Sequence, residues 1–167
     1  MPEWNLDDLY SGPKAPELVR DLDFVASEAR RLKERYQGRI VALGADGAAL
    51  AEAIAAYEHL SDVTGRIGSY AGLLFYGNMA DAERAKFYGD IQEKLTAVSS
   101  DLLFFELELN KIADADFAAA VKVPALAKYK PWLDDLRKEK PYQLEEKLER
   151  LFHEKSVTSR GSWNRLF

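Results

Sequence analysis

Two histidines and a surplus of carboxylates are the side chains of this sequence that could do chemistry. Near its end the chain reads FHEKSVTSRGSWNRLF, which sets His153 beside Glu154 like the first half of an HExxH zinc site. Such a site needs two imidazoles four residues apart on one helix face, with the intervening glutamate activating a metal-bound water. Position 157 is Val, so the second ligand is absent, and the only other histidine is His59. If 144–154 is helical, Leu144, Leu148 and Leu151 form its buried stripe. At about 100° per residue His153 then points to the opposite side. His59 sits opposite Leu50 and Ile54 on its own helix in the same way, and both are expected to be surface histidines.

The carboxylates offer no better start. Glu106 and Glu108 are two apart and diverge around a helix. Glu145, Glu146 and Glu149 interleave with Lys147 and Arg150 as a solvated helix face does. Nothing around either histidine indicates a Ser-His-Asp arrangement, and a glycine-rich phosphate loop would need a strand to follow. The chain is thus expected to hold no catalytic residue, no cofactor-binding residue and no metal ligand of its own.

The elements that would carry these residues are read from spacing and composition. The 167 residues are 47% hydrophobic and 31% charged, enough for one packed domain and too apolar for disorder. A formal net charge of −5 argues against nucleic acid as the main partner. The one basic cluster, RRLKER at 30–35, closes a predicted helix, where cations complement the helix dipole. Cysteine is absent, which removes disulfide and thiolate chemistry. The acidic opening MPEWNLDDLYSG has no apolar signal region, and stretches such as YAGLLFY at 70–76 fall far short of the ~20 residues of a membrane span. A cytoplasmic protein without membrane contact is expected.

Leu18, Leu22, Val25, Ala29, Leu32 and Tyr36 recur at steps of three and four and predict a first helix, stopped by Gly38. After the loop LGADGAA a long helix is predicted over about 48–76, ended by Gly77-Asn78, with Asp81 capping the next. That next helix, about 82–110, carries an apolar seam at Phe87, Ile91, Leu95, Val98, Leu102, Phe105, Leu109 and Ile112. A connection of ~5 residues predicts that the two long helices form an antiparallel hairpin. Gly65, Gly68 and Gly72 in the first of them are expected to admit a close backbone neighbour. Each helix, roughly 29 residues at ~1.5 Å per residue, would be ~43 Å long, which predicts an elongated bundle. Beyond it a short helix near 114–121, another opened by Pro124, and a last pair at about 144–154 and 158–167 complete an all-α fold. The expected division is a hairpin region, 1–112, and a second helical segment, 113–167.

Three stretches resemble one known family. The opening WNLDDLYSG resembles the W-[DN]-L-x-D-L-Y start of the oligoendopeptidase F family, bacterial zinc metallopeptidases related to thimet oligopeptidase. AYEHLSDVTGRIGSYAGLLFYGNMAD resembles the family's helix–turn segment. KPYQLEEKLERLFHEKSVTSRGSWNRLF resembles a later segment, a leucine- and glutamate-rich helix followed by a Ser/Thr turn and a Trp-x-x-Leu-[FY] helix. The resemblance implies the N-terminal portion of a longer peptidase. The HExxH zinc site, with its water-activating glutamate, would lie in a C-terminal catalytic region, the partner of this chain. It also implies that these helices form one wall of a channel admitting short peptides and excluding folded proteins. Trp163, Leu166 and Phe167 present an apolar face without a cap or a polar tail, so residues beyond 167 are expected to complete that helix. The competing reading is a self-sufficient helical module that binds a partner helix through the apolar seam.

Overall fold

The computed structural model describes residues 4–160, 162 and 163, and among them the fold is all-α. In chain order the helices are α1 (Pro16–Tyr36), α2 (Ile40–Leu43), α3 (Gly47–Gly77), α4 (Ala82–Lys111), α5 (Asp114–Ala120), α6 (Lys130–Lys138) and α7 (Glu146–Thr158). Two 3-10 turns, Pro124–Tyr129 and Lys140–Tyr142, lead into α6 and α7. Among the described residues no helix is long and apolar enough to cross a membrane.

Helix boundaries follow local chemistry. Gly38 adopts φ 77°, the left-handed conformation that stops α1 where an L side chain would be strained. The Asp81 carboxylate accepts the backbone N–H groups of Glu83 (2.9 Å) and Arg84 (3.1 Å), which caps α4 as its position predicts. The segment opened by Pro124 is a 3-10 turn, and α6 starts afresh at Lys130. Pro131 explains the break: it has no N–H to give to Ala127, and its ring would crowd that carbonyl.

The chain packs as two compact units, one of residues 1–30 and 58–99, the other of residues 31–57 and 100–167. In the first, Leu18, Val25, Leu60, Ile67, Tyr70 and Ile91 are buried. The Tyr10 hydroxyl donates to Asp21 (2.6 Å), Arg66 donates to the same carboxylate (2.6 Å), and the Tyr10 ring meets Tyr70 edge-on at 5.3 Å. These contacts fasten the segment before α1 onto α3. Gly68 lies beside Leu95 and Phe75 stacks on Tyr88 at 5.0 Å. Rising numbers on α3 meet falling numbers on α4, so the two helices run in opposite directions within this unit.

Of Gly65, Gly68 and Gly72, the glycines expected to admit a close neighbour, none meets another backbone within 4 Å. A Cβ on Gly65 would have nothing within 4 Å, and one on Gly68 would meet only the end of Leu95 at 3.4 Å. Close approach occurs instead at Gly44 and Gly47, where a Cβ would lie 2.6 Å from Ile112 and 2.6 Å from Val123 respectively.

In the second unit the seam residues Leu102, Phe105, Leu109 and Ile112 are buried, and so are Phe104 and Leu107 on other faces of α4. The end of α4 is therefore a central helix rather than a one-sided one. Glu108, 5% exposed, turns its carboxylate to the backbone N–H groups of Gly38 (2.7 Å) and Ile40 (3.2 Å). Arg137 of α6 closes the C-terminus of α4 by donating to the carbonyls of Leu109, Asn110 and Ile112, while its guanidinium lies 4.4 Å from the Phe117 ring and pairs with Asp114. It binds α4, α5 and α6 together through groups that each helix end leaves unsatisfied.

Candidate functional site

His153 and Glu154 lie on α7, whose orientation is the reverse of the expected one. Leu144, just ahead of the helix, and Leu148 and Leu151 on it are 46%, 43% and 47% exposed, and Phe152 is 61% exposed. The half-buried side chains are Glu146, Glu149, Arg150 and His153, spaced three and four apart on the other face. Periodicity identifies which residues share a face, but burial depends on what the neighbouring surface offers. Here the surroundings of α7 are polar. Gln37 donates to Glu146 at 3.3 Å, and Glu149 reaches back to accept the Leu144 N–H at 2.8 Å. Glu149 thus works as a cap rather than as a solvated charge.

His153 therefore faces inward in the second unit, where its carbonyl accepts the Ser156 hydroxyl at 2.7 Å. His59 is exposed, as expected, and touches the Phe24 ring edge-on at 5.3 Å in the first unit. Among the described residues no group of three or more His, Cys, Asp or Glu side chains is arranged to hold a metal ion. Glu106 accepts the Tyr57 hydroxyl at 2.9 Å, and Glu108 is committed to backbone amides, so these two carboxylates diverge and serve packing. Half of the expected final helix at 158–167 lies outside the described residues, including Leu166 and Phe167, while Trp163 is exposed.

Two hollows accompany these elements. One, of about 820 Å³ in the first unit, is walled by Ala15, Leu74 and Phe87 with Asp81, Arg84 and Lys86 at its polar side. The other, of about 500 Å³ in the second unit, lies beside Asn110, Gln143, Leu144 and Glu145. The Asn110 Oδ1 and Gln143 Oε1 atoms are buried without a hydrogen-bond partner among the described residues. The seat of α7 is thus polar, only half-buried and incompletely satisfied.

Residues 108–167 match the family model described as Oligopeptidase F. This stretch is similar to the oligopeptidase F family. No curated protein and no solved structure matches the chain. The matched stretch opens at Glu108, whose carboxylate holds the Gly38 turn, and it includes the Arg137 clamp and all of α7. Sequence reasoning took Glu108 only as one of two diverging carboxylates and assigned no role to Arg137. A signal for the first did exist, since LLFFELELN buries one carboxylate in an apolar run and so demands partners for it.

Proposed function

We propose that this chain is the N-terminal helical part of a cytoplasmic zinc metallo-oligopeptidase that hydrolyses short peptides, with the chemistry supplied by a C-terminal catalytic region. The observation that carries this reading is the oligopeptidase F match over residues 108–167. The residues described here do not fit a zinc site: His153 and Glu154 lack a partner imidazole at position 157, and His59 belongs to the other unit. Zinc would be held by the catalytic region. In this proposal α3 and α4 form the long antiparallel hairpin of region 1–112 and supply one wall of a channel that selects peptides by size. Region 113–167 leads to the catalytic part.

The test is zinc content and hydrolysis of a quenched fluorescent peptide, measured for this chain alone and for the polypeptide extended through its C-terminal region. The isolated chain should bind no stoichiometric zinc and cleave nothing, and the extended one should do both. Zinc-dependent hydrolysis by the isolated chain that disappears in His153→Ala would overturn the proposal, as would an extended protein with neither zinc nor activity.

A further inference from the structure

We infer that the outward face of α7 is the seat of an amphipathic helix belonging to the C-terminal catalytic region of the same polypeptide. The identity of that occupant rests on the functional reading above, whereas the existence of the seat rests on geometry. Leu144, Leu148, Leu151 and Phe152 follow at steps of four, three and one, a strip one helix wide that accepts another helix as a seam does. All four are exposed, Leu144 just ahead of α7 and the other three on the helix, whose charged face is turned inward. An amphipathic helix in water settles with its apolar side covered, so this arrangement is complete only when a second apolar surface lies on the leucines.

The size of the strip favours a tethered occupant over a second copy. At ~1.5 Å per residue α7 is about 20 Å long, and a strip one helix wide of that length presents on the order of 400 Å², the scale of a large patch on one protein. Stable association between separate molecules buries ~800 Å² per partner. A region in the same polypeptide needs less, because tethering supplies an effective concentration in the millimolar range. The oligopeptidase F match contains the whole strip and implies a catalytic region on the C-terminal side. Docking there would also cover the start of α7, beside the hollow near Asn110 and Gln143.

Hydrogen exchange of residues 146–158 tests the assignment, compared between the isolated chain and the polypeptide extended through its catalytic region. The expected result is exchange at least ~10-fold slower in the extended protein, the slowing a local stabilisation of ~1.4 kcal/mol gives. Leu148→Asp should return it towards the isolated-chain rate and lower the melting temperature of the extended protein, while leaving that of the isolated chain unchanged. Equal exchange in both polypeptides overturns the inference. So does sedimentation showing the isolated chain as a dimer with α7 protected, because a second copy is then the occupant. Peptidase activity is read separately: an inactive extended protein sinks the functional reading, and exchange at α7 still decides the docking.

Discussion

The Glu108 carboxylate accepts the Gly38 N–H at 2.7 Å, which ties the turn after α1 to the middle of the buried end of α4. The second oxygen takes the Ile40 N–H at 3.2 Å, so one acid satisfies two amides at the only described positive-φ residue. Glu108→Ala leaves the buried Ile40 N–H and the part-buried Gly38 N–H without this acceptor and is expected to cost about 1.5–3 kcal/mol, the range for hydrogen bonds to a charged group. Urea denaturation measures this, and a loss under about 0.5 kcal/mol would mean that water replaces the carboxylate.

Tyr10 gives the chain an alkaline sensitivity of known sign. Burial, reinforced by the hydrogen bond to Asp21 and the charge of that carboxylate, pushes its hydroxyl up to about 12, with Arg66 pulling the other way. The folded state therefore keeps a proton that the unfolded chain releases from about pH 10. Stability from this group is complete below pH 10 and is lost as the pH rises towards about 12, by roughly 3 kcal/mol at most. Unfolding measured across that range for the wild type and Tyr10→Phe should show a steeper decline in the wild type. Parallel curves would rule the coupling out.

Two glycines of α3, Gly65 inside the helix and Gly47 at its first position, should respond in opposite directions. Gly65 has open space around a Cβ position inside a long helix, so Gly65→Ala is expected to stabilise by about 0.5–1 kcal/mol. Gly47→Ala sets a methyl 2.6 Å from Val123 and 3.1 Å from the Ala120 carbonyl, and should destabilise by about 1–3 kcal/mol. Thermal unfolding of both variants decides it. The same sign for both would show that one of these surroundings relaxes.

In the isolated chain the seam of α4 and the strip of α7 should differ sharply under the same substitution. Leu102→Ala and Phe105→Ala remove buried side chains and are expected to cost roughly 2–5 kcal/mol each. Leu148→Ala removes an exposed one and should stay within about 0.5 kcal/mol. Chemical denaturation compares them, and a large loss at Leu148 would mean that its face is covered in the chain alone.

The sequence by itself determined what local chemistry controls. The three-and-four spacing set α1, α3 and α4, Gly38 ended the first because it alone among the described residues takes a positive φ, and Asp81 capped the last. The closing stretch from Lys140 onward carried enough of the oligopeptidase F pattern to be recognised, and the family match covers it. Only the tertiary structure decided which face of α7 is turned inward, that Glu108 holds a distant turn, and that Gly44 and Gly47, rather than Gly65, Gly68 and Gly72, are the points of close approach. The physical reason is the same in each case. Periodicity groups side chains on a face through bonds within a few residues, whereas burial, partner and clearance depend on surfaces brought up from 68 to 76 residues away in the chain, as Ile40 and Val123 are from Glu108 and Gly47.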